Sequence, residues 1–463
     1  MYNYQIFLSN NTGFMRYLQK IVTTISFGMA IAMTMLEIPA IASTLVRKNV
    51  IDLTPQEKSD FVNAFKTLKT IPGTNNKNVS LYDEFVAIHA GAMTFDMMQL
   101  GGQVMLPQDT PSTGPATGAD AAHEHGGFLP WHREYLSRFE QALQLVNPNV
   151  TLPYWDWADP RSVGVIFDLN FLGTNGTGST LIIEYPDGRP TIRLDGGPVV
   201  SGNFSEADGW TIVPDLHSNI GTAETLGTSL VRYLPDPNAP AGFGFPLDQA
   251  QTDRIVQSPD YATLRRFVEG EITINADGTQ SECLNIPCNH NLVHGLVGGS
   301  VANPNPNETE RQILTFGTLS NTPGSPNDPA FWLLHSNVDR LWAEWQNNGR
   351  QGSEFYAVPG TERYGHNLND RMWPWDGGDS IPGSIGSTDI RPYLPVVSPD
   401  DIVRPIDALD WRKYGYTYDT LVKPVPETSS TFGLLGLGAL GAASLLRRKR
   451  SYPEQTHLNS VAK

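Results

Sequence analysis

Ten histidines stand in a chain of 463 residues, and six of them fall into two similar groups. His89, His123 and His132 form the first; His290, His294 and His335 form the second. His290 and His294 are four apart on a predicted helix, so both imidazoles leave one face about one turn apart. At that spacing one helix offers two ligands to one metal. His335 lies in the run Phe331-Trp332-Leu333-Leu334-His335, whose apolar flanks place it inside the protein. A buried imidazole is costly unless it has a hydrogen bond or a metal. A single interior histidine is usually a satisfied core residue, but two sets of three beside apolar helices point to two metal sites. All-imidazole ligation suits zinc, copper, iron or nickel, and the absence of carboxylate and thiolate from the sets points away from magnesium, calcium and iron–sulfur clusters. Cys283 and Cys288 leave two readings. With His290 and His294 they make a closed zinc set; in an exported chain they make a local disulfide, which is the expectation here.

The elements that must carry these rings read as helices. Thr54-Pro55-Gln56-Glu57 has the form of a capping box with proline at the first helical position, opening a helix through about Leu68. Ser80 with Asp83 opens a second, running through His89 toward Met98. Residues 131–146 form a third, with Leu136, Phe139, Leu143 and Val146 on one face. A fourth covers residues 288–296, and a fifth, the most strongly patterned, covers 328–346. Residues 160–280 alternate short strand-like runs, such as 181–185, with turn clusters, and read as loops and hairpins wrapped on a helical core. The expected fold is mainly α: a four-helix-bundle core holding two metals, inside a large irregular loop shell with short β-hairpins.

Several ordered motifs then carry a resemblance. His123 and His132, with Gly127-Phe128-Leu129-Pro130-Trp131-His132-Arg133, resemble the first copper-site motif of the tyrosinase family. His290-Asn291-Leu292-Val293-His294, followed by Asn327-Asp328-Pro329-Ala330-Phe331-Trp332 and by His335 and Asp339-Arg340-Leu341-Trp342, resembles the second. Pro153-Tyr154-Trp155-Asp156-Trp157 and Tyr416-Thr417-Tyr418 are similar to two further signatures of that family. The resemblance implies a dinuclear type-3 copper centre of two copper ions, one held by His89, His123 and His132 and the other by His290, His294 and His335. It implies O2 and a phenolic small molecule as substrates, with hydroxylation of monophenols and oxidation of o-diphenols to o-quinones. Catechol oxidation without hydroxylation and haemocyanin-like O2 binding are the alternatives. It also implies that Asn291, with an upstream acid, orients a water that deprotonates monophenols; Glu282, eight residues before His290, is the expected acid. Phe331 is expected either to stack on the substrate ring or to pack in the core, and Asp339 to orient His335 or cap a backbone. Gly295 is expected to leave the pocket mouth without a bulky gate. Leu334 stands where many relatives have a second adjacent histidine, and no thiol lies near Ala121 to form the cysteine–histidine link seen in some relatives.

The ends read as address labels rather than fold. Arg16 and Lys20 precede an apolar run closing on Ala40-Ile41-Ala42, the form of an export signal over residues 1–42. The catalytic domain is expected over residues 43–421. Residues 422–463 resemble the bacterial PEP-CTERM sorting signal: Pro426-Glu427, an apolar glycine-rich stretch that reads as a membrane-inserting helix, and Arg447-Arg448-Lys449-Arg450. That resemblance implies an exosortase-like processing partner and a periplasmic, cell-surface or secreted location. The formal net charge is −16; both ends are basic on balance, so the middle is more acidic than the whole. Such a surface argues against a nucleic-acid partner.

Overall fold

Thr54 starts the first long helix as its sequence requires. Its hydroxyl accepts from the Glu57 amide, Glu57 reaches back to the Thr54 amide, and Pro55 takes a position whose N–H has no intrahelical partner. This helix, α1, is Pro55–Thr70. Ser80 and Asp83 form the same reciprocal cap on α2, Leu81–Ala92. The expected extension toward Met98 does not occur: one 3-10 turn, Met93–Phe95, follows α2. The other histidine-bearing helices are α3 (Phe128–Val146), α6 (Asn289–Gly298) and α7 (Ala330–Asn347). The computed structural model describes residues 45–422 except 96–98, 101–102, 105–119, 218–225, 237–243, 284–287, 305–312, 383 and 386–387. The export signal over 1–42 and nearly all of the sorting tail lie outside the described residues. Residues to Asp419 form one unit and Thr420 onward another; the description concerns the first. No helix among the described residues is long and apolar enough to cross a membrane.

The stretch 160–280 departs from the expectation of loops and hairpins. It does hold a hairpin, β2 (Ser179–Ile183) against β3 (Ile192–Pro198). Besides one short helical turn at Ser162–Ile166, it also holds two longer helices, α4 (Gln249–Val256) and α5 (Tyr261–Glu269). Asp260 caps α5 by accepting from the Thr263 amide, Gly270 ends it in the left-handed region, and Tyr261, Leu264, Phe267 and Val268 form its buried face. A second hairpin follows, β4 (Ile272–Ile274) with β5 (Gln280–Glu282). Length explains the difference: two turns flanked by turn-rich sequence carry little periodic signal.

The helices meet over an aromatic core. Trp332 of α7 stacks on Phe139 of α3, centroids 3.4 Å apart, and on Tyr135 at 5.0 Å. Its indole N–H donates to the Tyr82 hydroxyl of α2 at 3.0 Å, so one residue ties three helices. Burying such a side chain contributes about 3–5 kcal/mol by the cost of truncating it.

One turn beyond His335, Asp339 collects a buried ion network. Its carboxylate accepts from Arg133 at 2.6 Å, Arg47 at 3.1 Å and the hydroxyls of Tyr416 and Tyr418 at 2.5 and 2.6 Å. Arg47 lies on β1 (Leu45–Arg47), which pairs in parallel with β6 (Tyr416–Tyr418). Residues near both ends of this unit are thereby pinned beneath α7. Burial alone would raise the Asp339 carboxyl, but Arg133 and Arg47 hold it below its ordinary range. Asp339 supports the helix that carries His335; it does not cap a backbone.

Candidate metal centre

The first triad draws on two helices and a loop. His89 comes from the last turn of α2, His132 from the first turns of α3, and His123 from the loop before α3. Each ring is oriented through Nδ1. His89 donates to the Pro323 carbonyl at 3.2 Å, and His132 to the Phe128 carbonyl at 2.9 Å. The Asp120 carboxylate takes His123 Nδ1 at 3.0 Å while its other oxygen accepts the Ala122 and His123 amides. Using Nδ1 in this way fixes the tautomer and leaves Nε2 as a bare lone pair. The three rings can bring ligand atoms within 4.8 Å of one another. His89 Nε2 and His132 Nε2 are buried with no partner. Two unpaired lone pairs facing one cluster fit a bound cation.

The second triad is tighter. His290 and His294 leave one face of α6, and His335 meets them from α7. The Nε2–Nε2 separations are 3.0 Å (His290–His294), 3.1 Å (His290–His335) and 3.3 Å (His294–His335). An ion with bonds of roughly 2.0 Å sets nitrogens about 3.3 Å apart in tetrahedral geometry, so the triangle has the size of a ligand set. His290 Nδ1 donates toward the Glu269 carbonyl at 3.2 Å and Asn291 Oδ1 at 2.9 Å. His294 Nδ1 donates to the Leu319 carbonyl at 2.8 Å. His335 has no such anchor on Nδ1; packing holds its ring, between Phe331 (4.1 Å) and His132 (4.3 Å, stacked at 12°). The stack of His132 on His335 puts the triads side by side.

For five of the six histidines the electrostatics agree with neutral ligands. Burial first, and neighbouring imidazoles second, hold His89, His132, His290 and His335 well below the usual histidine range. Burial pushes His294 down to about 4. For His123 burial is outweighed by Asp120, and the ring is raised. A neutral imidazole binds a metal; a protonated one does not. His123 is 7% exposed and His294 half-buried, whereas the other four are sealed, so solvent reaches the pair from that side.

The remaining sequence-derived site residues are less well placed. Phe331 is fully buried, with His89 edge-on at 5.0 Å and His294 at 6.0 Å, so it packs the ligand rings and offers no open face to substrate. Gly295 is buried too: a side chain there would meet Ser300 Cβ and Oγ at 3.0 and 3.1 Å, so it seats α6 on the next strand. Glu282 points outward, its side chain 51% exposed and bound by both oxygens to Arg266. Cys283 and Cys288 are joined, which leaves no thiol for a zinc set or for a cysteine–histidine link.

The acid that the fold brings to the histidines is Glu269, at the end of α5. It is 2% exposed. One oxygen accepts the Glu124 amide at 2.7 Å, next to His123, and its backbone carbonyl takes His290 Nδ1. Burial pushes its carboxyl up to about 7 against the pull of Arg265. Gly270 permits this approach, since at φ 110° a side chain would lie 2.0 Å from the Cys288 carbonyl oxygen and 3.2 Å from Asn291 Cβ. The available signal was the Asp260 cap and the apolar face of α5, which would have placed Glu269 on a helix ending at the second triad. The only two non-glycine residues of positive φ among the described residues, Glu124 (62°) and Asn289 (43°), flank His123 and His290. Backbone strain of this kind collects at functional sites.

Six imidazoles in two abutting triads on a helical core, five of them buried and His294 half-buried, define a dinuclear metalloprotein with all-nitrogen ligation. The model of the common central domain of tyrosinase matches residues 79–348. The tyrosinase of Streptomyces glaucescens is 34% identical over 351 residues, covering 73% of this chain and 95% of that protein. The tyrosinase of Streptomyces antibioticus is 32% identical over 342 residues, with the same coverage of each. Among solved structures, a polyphenol oxidase from Thermothelomyces thermophila is 21% identical at a TM-score of 0.44, covering 76% of this chain and 88% of that one. The chain belongs to the tyrosinase family. It is an oxidoreductase of tyrosinase type with a dinuclear copper centre, acting on phenols with O2.

Proposed function

We propose that the chain both hydroxylates monophenols and oxidises o-diphenols to o-quinones, with His89, His123 and His132 holding one copper and His290, His294 and His335 the other. Bound copper supplies O2 activation and electron exchange with the phenol. In balance, one monophenol and one O2 give one o-quinone and one water, and two o-diphenols with one O2 give two quinones and two waters. The protein's residues do the rest. Asp120 and the backbone carbonyls aim the rings, and Phe331 keeps water out from between them. The half-open side at His123 and His294 admits the phenol ring. Asn291, through His290 Nδ1, and the Glu269 carboxylate replace the expected Glu282 pairing, and Glu269 receives the phenolic proton directly or through one water.

The observation that carries hydroxylation is the buried Glu269, whose carboxylate accepts the Glu124 amide beside His123 and whose backbone carbonyl takes His290 Nδ1. Oxygen uptake by the copper-loaded chain tests it: turnover is expected on a monophenol such as tyramine and on a catechol. Uptake on catechol with none on the monophenol would leave catechol oxidation as the activity. An exported location remains part of the proposal, supported by the sequence of residues 1–42 and 422–463.

A further inference from the structure

The loop that presents His123 is held from outside the matched central domain. We propose that His366 and Glu362 are positioning residues for the first copper triad, clamping the backbone at Gly126 and Gly127 so that His123 meets His89 and His132. The inference rests on the ligand reading above, and its first readout does not need copper.

The clamp engages backbone polar groups of the loop. The Gly127 amide donates to His366 Nδ1 at 3.1 Å. The Gly126 amide donates to Glu362 Oε2 at 3.1 Å, and Tyr261 donates to the Gly126 carbonyl at 2.6 Å. His366 thus grips the loop at Gly127, where α3 and His132 begin, and Glu362 grips it one residue earlier, at Gly126. The two glycines make the grip possible. A side chain at Gly127 would lie 2.3 Å from His366 Nδ1, and one at Gly126 would lie 3.2 Å from the Glu362 carboxylate. His366 is 1% exposed and its own carbonyl is tied by the Tyr356 hydroxyl at 2.8 Å. Burial and the neighbouring His125 push its ring down to about 3, which keeps Nδ1 an acceptor. The family match ends at residue 348, so both clamp residues lie C-terminal to it. Of the two triads, only the first has a ligand on a loop; the other five histidines sit on helices. That loop histidine is where an outside support has work to do.

The test has two arms on the full chain. In the metal-free protein, hydrogen exchange of residues 124–127 should speed up at least tenfold in His366→Leu and in Glu362→Leu, and return toward wild type in His366→Asn and Glu362→Gln, which keep an acceptor. Residues of α6 should be unchanged. For copper, His294→Ala is combined with His366→Leu so that binding reports on the first triad alone. Affinity by chelator competition should fall about 10–100-fold relative to His294→Ala, the range for partners that orient ligands. A core variant matched in Tm, Phe61→Leu, should not produce that fall. Unchanged exchange and affinity, or equal losses at both triads, would overturn the clamp. Failure of the ligand reading would show separately, as a wild-type chain that binds no copper while the exchange result stands.

Discussion

Glu269→Gln is the most informative single change to the active site. Glutamine keeps the shape and still offers an oxygen to the Glu124 amide, now 2.7 Å from Glu269 Oε1. It loses the negative charge, and its amide N–H2 faces Arg265, which donates to Glu269 at 2.9 Å. Arg265 retains Glu271 as a partner, so the fold should lose only about 1.5–3 kcal/mol, the worth of one hydrogen bond to a charged group. Catalysis should lose far more. A positioned base contributes roughly 10²–10⁴-fold, equivalent to about 2.7–5.4 kcal/mol of barrier. Monophenol turnover should therefore fall by that factor, while catechol turnover, whose ring already carries the second oxygen, should fall less than tenfold. Oxygen uptake on tyramine and on dopamine, with copper content measured on the same samples, separates the effects. Glu282→Gln should leave both rates within about twofold, because that carboxylate is held on the surface by Arg266. Equal falls on both substrates, or an unchanged monophenol rate with two coppers bound, would refute the role given to Glu269.

Other consequences follow from the supporting structure. Asp339→Asn should cost about 3–5 kcal/mol in denaturant unfolding, since it strands Arg133 inside the protein. Because the folded Asp339 carboxyl lies below its unfolded value, its contribution is present above the unfolded range and is lost as pH falls through the folded value. The wild type should therefore lose stability in acid more steeply than Asp339→Asn; parallel acid profiles would contradict this. Arg232→Met should destabilise by a similar 3–5 kcal/mol, roughly, as both it and Asp328 are fully buried. A thermal scan showing no shift would remove that pair from the account. Gly270→Ala should cost about 1–3 kcal/mol for its positive φ, more if the Cys288 carbonyl cannot move, and should weaken copper at the second triad. Chelator competition would show whether it does.

Much of this was legible in the chain itself, for physical reasons that differ by element. The caps at Thr54 and Ser80 are local chemistry, decided by residues three apart, and they formed as read. The two histidine sets were visible because metal ligands impose spacing on helices. Glu269 was not, because its closeness to the centre depends on how α5 ends at Gly270 and abuts α6, a tertiary fact. Glu282 matches the family's upstream acid by its place along the chain alone; the β4–β5 hairpin between α5 and α6 carries it to the surface, where Arg266 takes it. Phe331 and Gly295 show the same limit. Position one turn before or one residue after a ligand does not say which way the site opens. The support of the His123 loop by His366 spans 239 residues, and no pattern within a window reports it.

The central claim is that two sets of three histidines hold two copper ions. Copper analysis of the purified wild-type chain, paired with His294→Ala and His89→Ala, tests it most directly. The account predicts two copper ions per wild-type chain and about one in each variant, with phenol oxidation lost in both. One copper or none in the wild type, or zinc occupying the triads of an enzyme that still consumed O2 with phenols, would contradict it.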